Sequence, residues 1–197
     1  RLQEVQASAQ PAQLKEVCRA LMAYHASTRE RLPILDNFYS TVLAGLPPIR
    51  SILDVACGLN PLALPWMGLP PQVEYLAVDI YQDMLDFLGH FMALLEIRGR
   101  TTAADVLEFS LEREVDLALI LKAIPCLEQL DKDAGRILLN NFRSPNILVS
   151  FPARSLGGRS KGMVQFYEQH FSDLISGQSW QIIRFEFPGE LAFLIRK

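Results

Sequence analysis

"SILDVACGLNPLALP", from Ser51 to Pro65, is the stretch on which the reading of this chain turns. "SILDVA" is a short apolar run of strand type that Cys57 and Gly58 end in a turn, the position at which α/β sheets meet their ligands. A loop that closes around a pyrophosphate needs several glycines so that its backbone donors can approach, and "ACGLNP" offers Gly58 alone. The ligand expected here is an adenosine without phosphates.

Short β-rich runs alternate with helical ones downstream. "SILDVA", "VEYLAVD", "TTAADV", "VDLALIL" and "NILVSF" read as successive strands. A helix with Met84, Phe87, Leu88 and Phe91 on one face falls between the second and third, and another around Ile137 and Leu138 between the fourth and fifth. That alternation predicts an α/β fold, a doubly wound parallel sheet with right-handed crossovers. The last runs, "SWQIIRFEF" and "ELAFLIRK", are separated only by Pro188 and Gly189, too few residues for a helical crossover, and predict an antiparallel C-terminal hairpin.

Upstream, Leu14, Val17, Cys18 and Leu21 follow the i, i+3, i+4, i+7 spacing of an amphipathic helix over about Ala12 to His25. Leu35, Phe38, Tyr39 and Val42 make the apolar face of a second helix. "STRE" (Ser27 to Glu30) reads as a capping box at its start, with Pro33 expected to kink it. "AGLPP" is the linker, which divides the chain into a helical region over 1–47 and a sheet domain over 48–197.

The 197 residues suffice for one core without disulfides or a metal. Half are apolar and a fifth charged, which argues against extended disorder, and the apolar stretches are too short to span a membrane. Cys18, Cys57 and Cys126 lack zinc or redox spacing, so a reducing cytoplasm and no metal are expected. A monomer is expected too. No signal peptide is read, and a chain that opens at Arg1 without an initiator methionine is expected to continue upstream. The net charge of −3 makes any nucleic-acid contact a matter of a local patch.

Asp79 closes the second strand 21 residues after Gly58, close to the spacing at which a carboxylate accepts from ribose hydroxyls. S-adenosylmethionine fits such a site, with a small-residue turn at Ala56 and Gly58. Asp105 is placed to accept from the adenine amino group, with Val106 beside it in the cofactor set. Each acid alone also reads as a turn or cap residue; their recurrence at successive strand ends favours the site.

"HASTRERL" (His25 to Leu32), "LDVACGLNPLAL" (Leu53 to Leu64), "LKAIPCLE" (Leu121 to Glu128) and "SFPARSLGGRSKGM" (Ser150 to Met163) together resemble the aminoglycoside-resistance 16S rRNA methyltransferases that modify guanine N7 at the decoding site. The resemblance runs from about Leu14 to the C-terminus. It implies a Rossmann-like methyltransferase preceded by a helical region, with S-adenosylmethionine as donor and the assembled 30S subunit as substrate. Relatives of this kind carry a longer helical N-terminal extension. The resemblance in "HASTRERL" implies that His25 and Arg31 are cofactor-pocket residues, Arg31 for the methionine carboxylate.

Guanine N7 has an in-plane lone pair and no proton, so no general base is expected and alignment supplies much of the catalysis. Lys122 is expected to face the cofactor crevice; a solvated lysine at a strand end is the plain alternative. "RSLGGRSKG" gathers Arg154, Ser155, Arg159 and Lys161 into a basic loop expected to grip rRNA phosphates, with Arg154 and Lys122 positioning the reactants. Cys126 after Pro125 suggests the nucleophile of cytosine-C5 RNA methyltransferases, but a packed core thiol is the expectation. Phe151, Phe166, Tyr167 and Phe171 read as core or as stacking surface. The reading is a 16S rRNA guanine-N7 methyltransferase that confers aminoglycoside resistance. Its rivals are a methyltransferase of another RNA or a small molecule, and a non-catalytic ribosome-binding module.

Overall fold

The computed structural model of the chain describes residues 11–70, 72–153 and 162–197. Seven strands form one sheet in the order β3-β2-β1-β4-β5-β7-β6. They are β1 (Ser51–Val55), β2 (Glu74–Asp79), β3 (Arg98–Ala103), β4 (Leu117–Leu121), β5 (Asn146–Pro152), β6 (Gln181–Phe187) and β7 (Glu190–Arg196). The first five pair in parallel, and β7 runs antiparallel to both β5 and β6. Gly189, at φ +89°, supplies the left-handed residue of the two-residue turn between β6 and β7.

Alternate side chains of the central strands feed two cores. Ile52, Tyr75, Ala77, Leu117 and Leu119 pack on one side of the sheet, under helices α1 (Pro11–Met22), α3 (Leu35–Val42), α4 (Leu64–Met67) and α5 (Gln82–Leu94). Leu53, Val55, Leu76, Val78, Ala118 and Ile120 pack on the other, with α7 (Ala134–Asn141) and α8 (Met163–Leu174). All five residues of β4 are buried, as its unbroken apolar run requires of a strand covered on both faces. The N-terminal helices share the first core: Cys18, Met22, Phe38 and Tyr39 sit in the same cluster as Ile52 and Tyr75.

Several local expectations are corrected. The first helix ends at Met22, before Tyr24 and His25 turn the chain. The capping box does not form: α2 (Ala26–Arg31) starts after His25, and Thr28 Oγ1 instead donates to Met22 O at 2.7 Å. Pro33 does more than kink a helix. It falls in a 3-10 turn, Leu32–Ile34, that separates α2 from α3, because proline lacks the donor that a continuous helix would need. The buried face of α5 is centred on Leu85, Leu88, Phe91 and Met92, leaving Met84 and Phe87 only partly covered. β3 begins at Arg98 and stops at Ala103, so Asp105 lies two residues past the strand. Cys126 is exposed on the short helix α6 (Ile124–Leu127) and is no core thiol.

Candidate active site

The strand order reverses between β1 and β4, and the carboxyl ends of that pair border the crevice where open α/β sheets bind ligands. Both ends are strained there. Ala56, the residue after β1, has φ +50°, and Lys122, the residue after β4, has φ +59°. Left-handed backbone costs a residue with a side chain about 1–2 kcal/mol, a cost that recurs at functional sites because the surroundings must enforce it. Gly58 also has a left-handed φ of +50°, and a Cβ there would stand 2.7 Å from Cε1 of the His25 ring. The imidazole therefore covers the turn, and its Nδ1 pairs with Ser27 Oγ at 3.0 Å.

Asp79 holds the same turn from the neighbouring strand. Its Oδ2 accepts from Gly58 N at 2.9 Å and its Oδ1 from Ile80 N at 2.8 Å. An ionised carboxylate has about four acceptor positions, so each oxygen keeps one for a hydroxyl donor. Asp105 is exposed; its Oδ1 accepts from Leu107 N at 2.9 Å, which fixes the turn after β3 and leaves Oδ2 open. The Val106 side chain is buried in the second core, so only its backbone is available to a ligand.

Beneath the turn lies a buried polar network. Arg31, 1% exposed, donates through Nε to both oxygens of Glu190 at 3.0 Å, through Nη2 to Glu190 Oε1 at 2.6 Å and through Nη1 to Asn60 Oδ1 at 3.0 Å. Tyr39, buried beside it, also donates through Oη to Asn60 Oδ1 and shares a hydrogen bond with Arg31. Lys122 does not lie in solvent: its Nζ reaches Glu30 Oε2 at 2.9 Å and Glu190 Oε2 at 3.4 Å. Burial alone would raise the Glu190 carboxyl, but the charges of Arg31 and Lys122 outweigh it and hold it below the usual range.

Asp54 is the second acid in the network. Tyr75 Oη and Asn60 Nδ2 both donate to its Oδ2, at 2.6 and 2.9 Å, while its buried Oδ1 has no partner among the described residues. Burial pushes this carboxyl up to about 7, although Tyr75, Asn60 and Arg31 favour the charged form. An aspartate in an unfolded chain titrates near ~3.9. Between those values the folded state binds more protons, so this group's contribution to stability falls as pH rises from about 4 to about 7 and levels off above. Asp54→Asn is expected to remove that slope from urea unfolding measured between pH 5 and 8, where Glu190 stays ionised. A variant with the parent's slope would place it in another group.

These features fit S-adenosylmethionine. The orphaned Asp54 oxygen suits a cationic donor, the charge of Arg31 suits a carboxylate, and the spare Asp79 positions suit ribose hydroxyls. The structure thus brings His25, Arg31, Ala56, Gly58, Asp79 and Lys122 to one edge of the sheet. Arg154, Ser155, Arg159 and Lys161 lie outside the described residues. Sequence reasoning did not find Asp54, Asn60, Glu30 or Glu190. Asp54 had a signal, an acid inside an apolar strand; Glu190, after a Pro-Gly turn, had none.

The ribosomal RNA methyltransferase (FmrO) family model matches residues 3–194. This chain belongs to that family. It is 44% identical over 179 residues to the 16S rRNA (guanine(1405)-N(7))-methyltransferase of Micromonospora rosea, covering 91% of this chain and 65% of the relative. With the enzyme of the same description from Serratia marcescens it shares 36% identity over 195 residues, 95% of this chain and 76% of the other. The crystal structure of the 16S rRNA methyltransferase RmtF in complex with S-adenosyl-L-homocysteine superposes with a TM-score of 0.81 at 32% identity, covering 98% of this chain and 75% of that one. The chain spans about two thirds of the length of the Micromonospora relative. The Rossmann-like methyltransferase sheet with its C-terminal hairpin is thus the fold of the family. No helix among the described residues is long and apolar enough to cross a membrane.

Proposed function

We infer that this protein transfers the methyl group of S-adenosylmethionine to guanine N7 of 16S rRNA at the decoding site of the assembled 30S subunit, in the cytoplasm, and so confers aminoglycoside resistance. The observation that carries the reading is the strained, glycine-poor turn of Ala56 and Gly58, held by Asp79 at the switch point of a sheet whose relatives are named for this reaction. The helical region over 1–47 is read as the part that joins this sheet domain, 48–197, to further ribosome contacts.

When bound, S-adenosylmethionine supplies an electrophilic methyl carbon on a sulfonium. N7 would take the methyl with its own lone pair as the methyl–sulfur bond breaks and S-adenosylhomocysteine leaves, so the protein has no proton to remove and its task is placement and water exclusion. Asp79 orients the ribose, Arg31 and Asp54 the amino-acid end, and Asp105 with the Val106 backbone the adenine. His25 closes the turn over Gly58, and Lys122, tied to Glu30 and Glu190, fixes the wall after β4. Arg154, Ser155, Arg159 and Lys161 grip the rRNA.

Tritium transfer from labelled cofactor to 30S subunits, followed by primer extension after borohydride and aniline cleavage, tests the assignment. A stop next to the decoding-site guanine is expected. Transfer to free RNA or a small molecule with 30S left unlabelled would overturn it in favour of another methyltransferase. Asp79→Ala should weaken cofactor binding about ten- to hundredfold, because a hydrogen bond to a charged group contributes roughly 1.5–3 kcal/mol. Unchanged affinity by calorimetry in a folded variant would remove Asp79 from the ribose site.

A further inference from the structure

Helix α8 sends Phe171 and Leu174 into the core, and Tyr167 lies nearly flat on buried Phe151, ring centroids 5.0 Å apart and planes inclined by 23°. Phe166, in the first turn of the same helix, goes the other way and is 62% exposed. Leaving so large an apolar ring in water forgoes one of the larger stabilising contributions open to a side chain. Gln165 and Gln169 on the same helix are polar and exposed, so Phe166 stands out as an aromatic surface among polar groups of α8.

The ring is held in orientation. It meets Tyr167 edge-on, with centroids 5.1 Å apart and planes at 75°. It runs parallel to the His170 ring one helical turn on, within 10° and with centroids 6.2 Å apart. His170 Nε2 is in turn paired with Glu128 Oε2 at 2.7 Å, and Glu128 directly follows α6. The aromatic group is thereby anchored both to Phe151, near the end of β5, and to the segment after β4, on the edge of the sheet that carries the crevice. In sequence, Lys161 precedes Phe166 by five residues and Arg154 by twelve.

We propose that Phe166, backed by Tyr167 and His170, is a stacking platform for an unpaired nucleobase that neighbours the acceptor guanine in the rRNA. A preoriented aromatic ring with little rotamer freedom left to lose is the surface on which unpaired bases stack. The base is a neighbour of the acceptor because the acceptor N7 must meet the methyl donor in the crevice between β1 and β4, whereas α8 packs beside β5 and β7. The proposal rests on the rRNA methyltransferase reading.

The test compares Phe166→Ala, Phe166→Leu and Phe166→Trp with the parent in the full-length protein. The readouts are kcat/KM for methyl transfer to 30S subunits, calorimetric affinity for S-adenosylmethionine and the thermal midpoint. Phe166→Ala should lower kcat/KM about ten- to hundredfold, chiefly through KM, with cofactor affinity and thermal midpoint unchanged. Phe166→Leu keeps apolar area but no π-face and should show a similar loss, while Phe166→Trp should stay near the parent. Parental kcat/KM in Phe166→Ala, or a Leu variant as active as the Trp variant, overturns the platform while the rRNA reading stands. A parent that binds cofactor and leaves 30S unmethylated overturns that reading, and the platform with it.

Discussion

Replacing Glu190 with alanine is expected to destabilise the fold by about 3–5 kcal/mol, the range for removing one partner of a buried ion pair. Glu190 and Arg31 are each 1% exposed, and the carboxylate takes three of the guanidinium contacts as well as the longer approach of Lys122. Without it, buried Arg31 keeps Asn60 as an acceptor but has no carboxylate within hydrogen-bond distance among the described residues. Against a typical total of about 5–15 kcal/mol this is a large fraction. Urea unfolding should show it as a shift of the midpoint by at least about 1 M, given slopes of about 1–3 kcal/mol/M.

The size of that effect reflects the stranded charge more than the net worth of the pair, since two well-packed apolar residues in place of an ion pair are often neutral. The double variant Arg31→Met/Glu190→Leu should therefore recover much of the lost stability. A Glu190→Ala midpoint close to the parent, or a double variant no more stable than the single one, would contradict this account. The pair joins residues 159 positions apart, so its loss should loosen the N-terminal helices from the C-terminal hairpin together.

That separation marks where the sequence could be read and where it could not. β4 was legible because a strand buried on both faces has a continuous apolar run, and the hairpin because two residues admit no crossover. The place of Asp79 beside Gly58 was legible because the two ends of one βαβ unit meet there. Glu190 was not: a glutamate after a tight turn resembles any solvated acid until the fold sets Arg31 and Lys122 against it. Helix α8 had its period in Val164, Tyr167, Phe171 and Leu174, yet the glycine- and serine-rich stretch before it drew attention to a loop and to four aromatics of undecided role. The structure divides those four by direction alone, with Phe151 and Phe171 in the core, Tyr167 between and Phe166 outward.

Neutralising Arg154, Arg159 and Lys161 together should reduce 30S methylation about a hundredfold or more at moderate salt, because three contacts of about 1 kcal/mol each multiply to that order. A second signature separates lost phosphate contacts from a misfolded loop. Each phosphate contact releases counterions, so the slope of log affinity against log salt should flatten by about 2–3 when three are lost. Cofactor affinity should hardly move, since the turn at Gly58, Asp79 and the Arg31 network are built from other residues. The outcome bears on the proposed division of labour, in which the sheet's carboxyl ends bind the donor and the basic stretch between β5 and α8 the acceptor. If the triple variant methylated 30S subunits at the parental rate with the parental salt slope, the rRNA grip would have to come from elsewhere on the protein, and the cofactor assignments would be untouched.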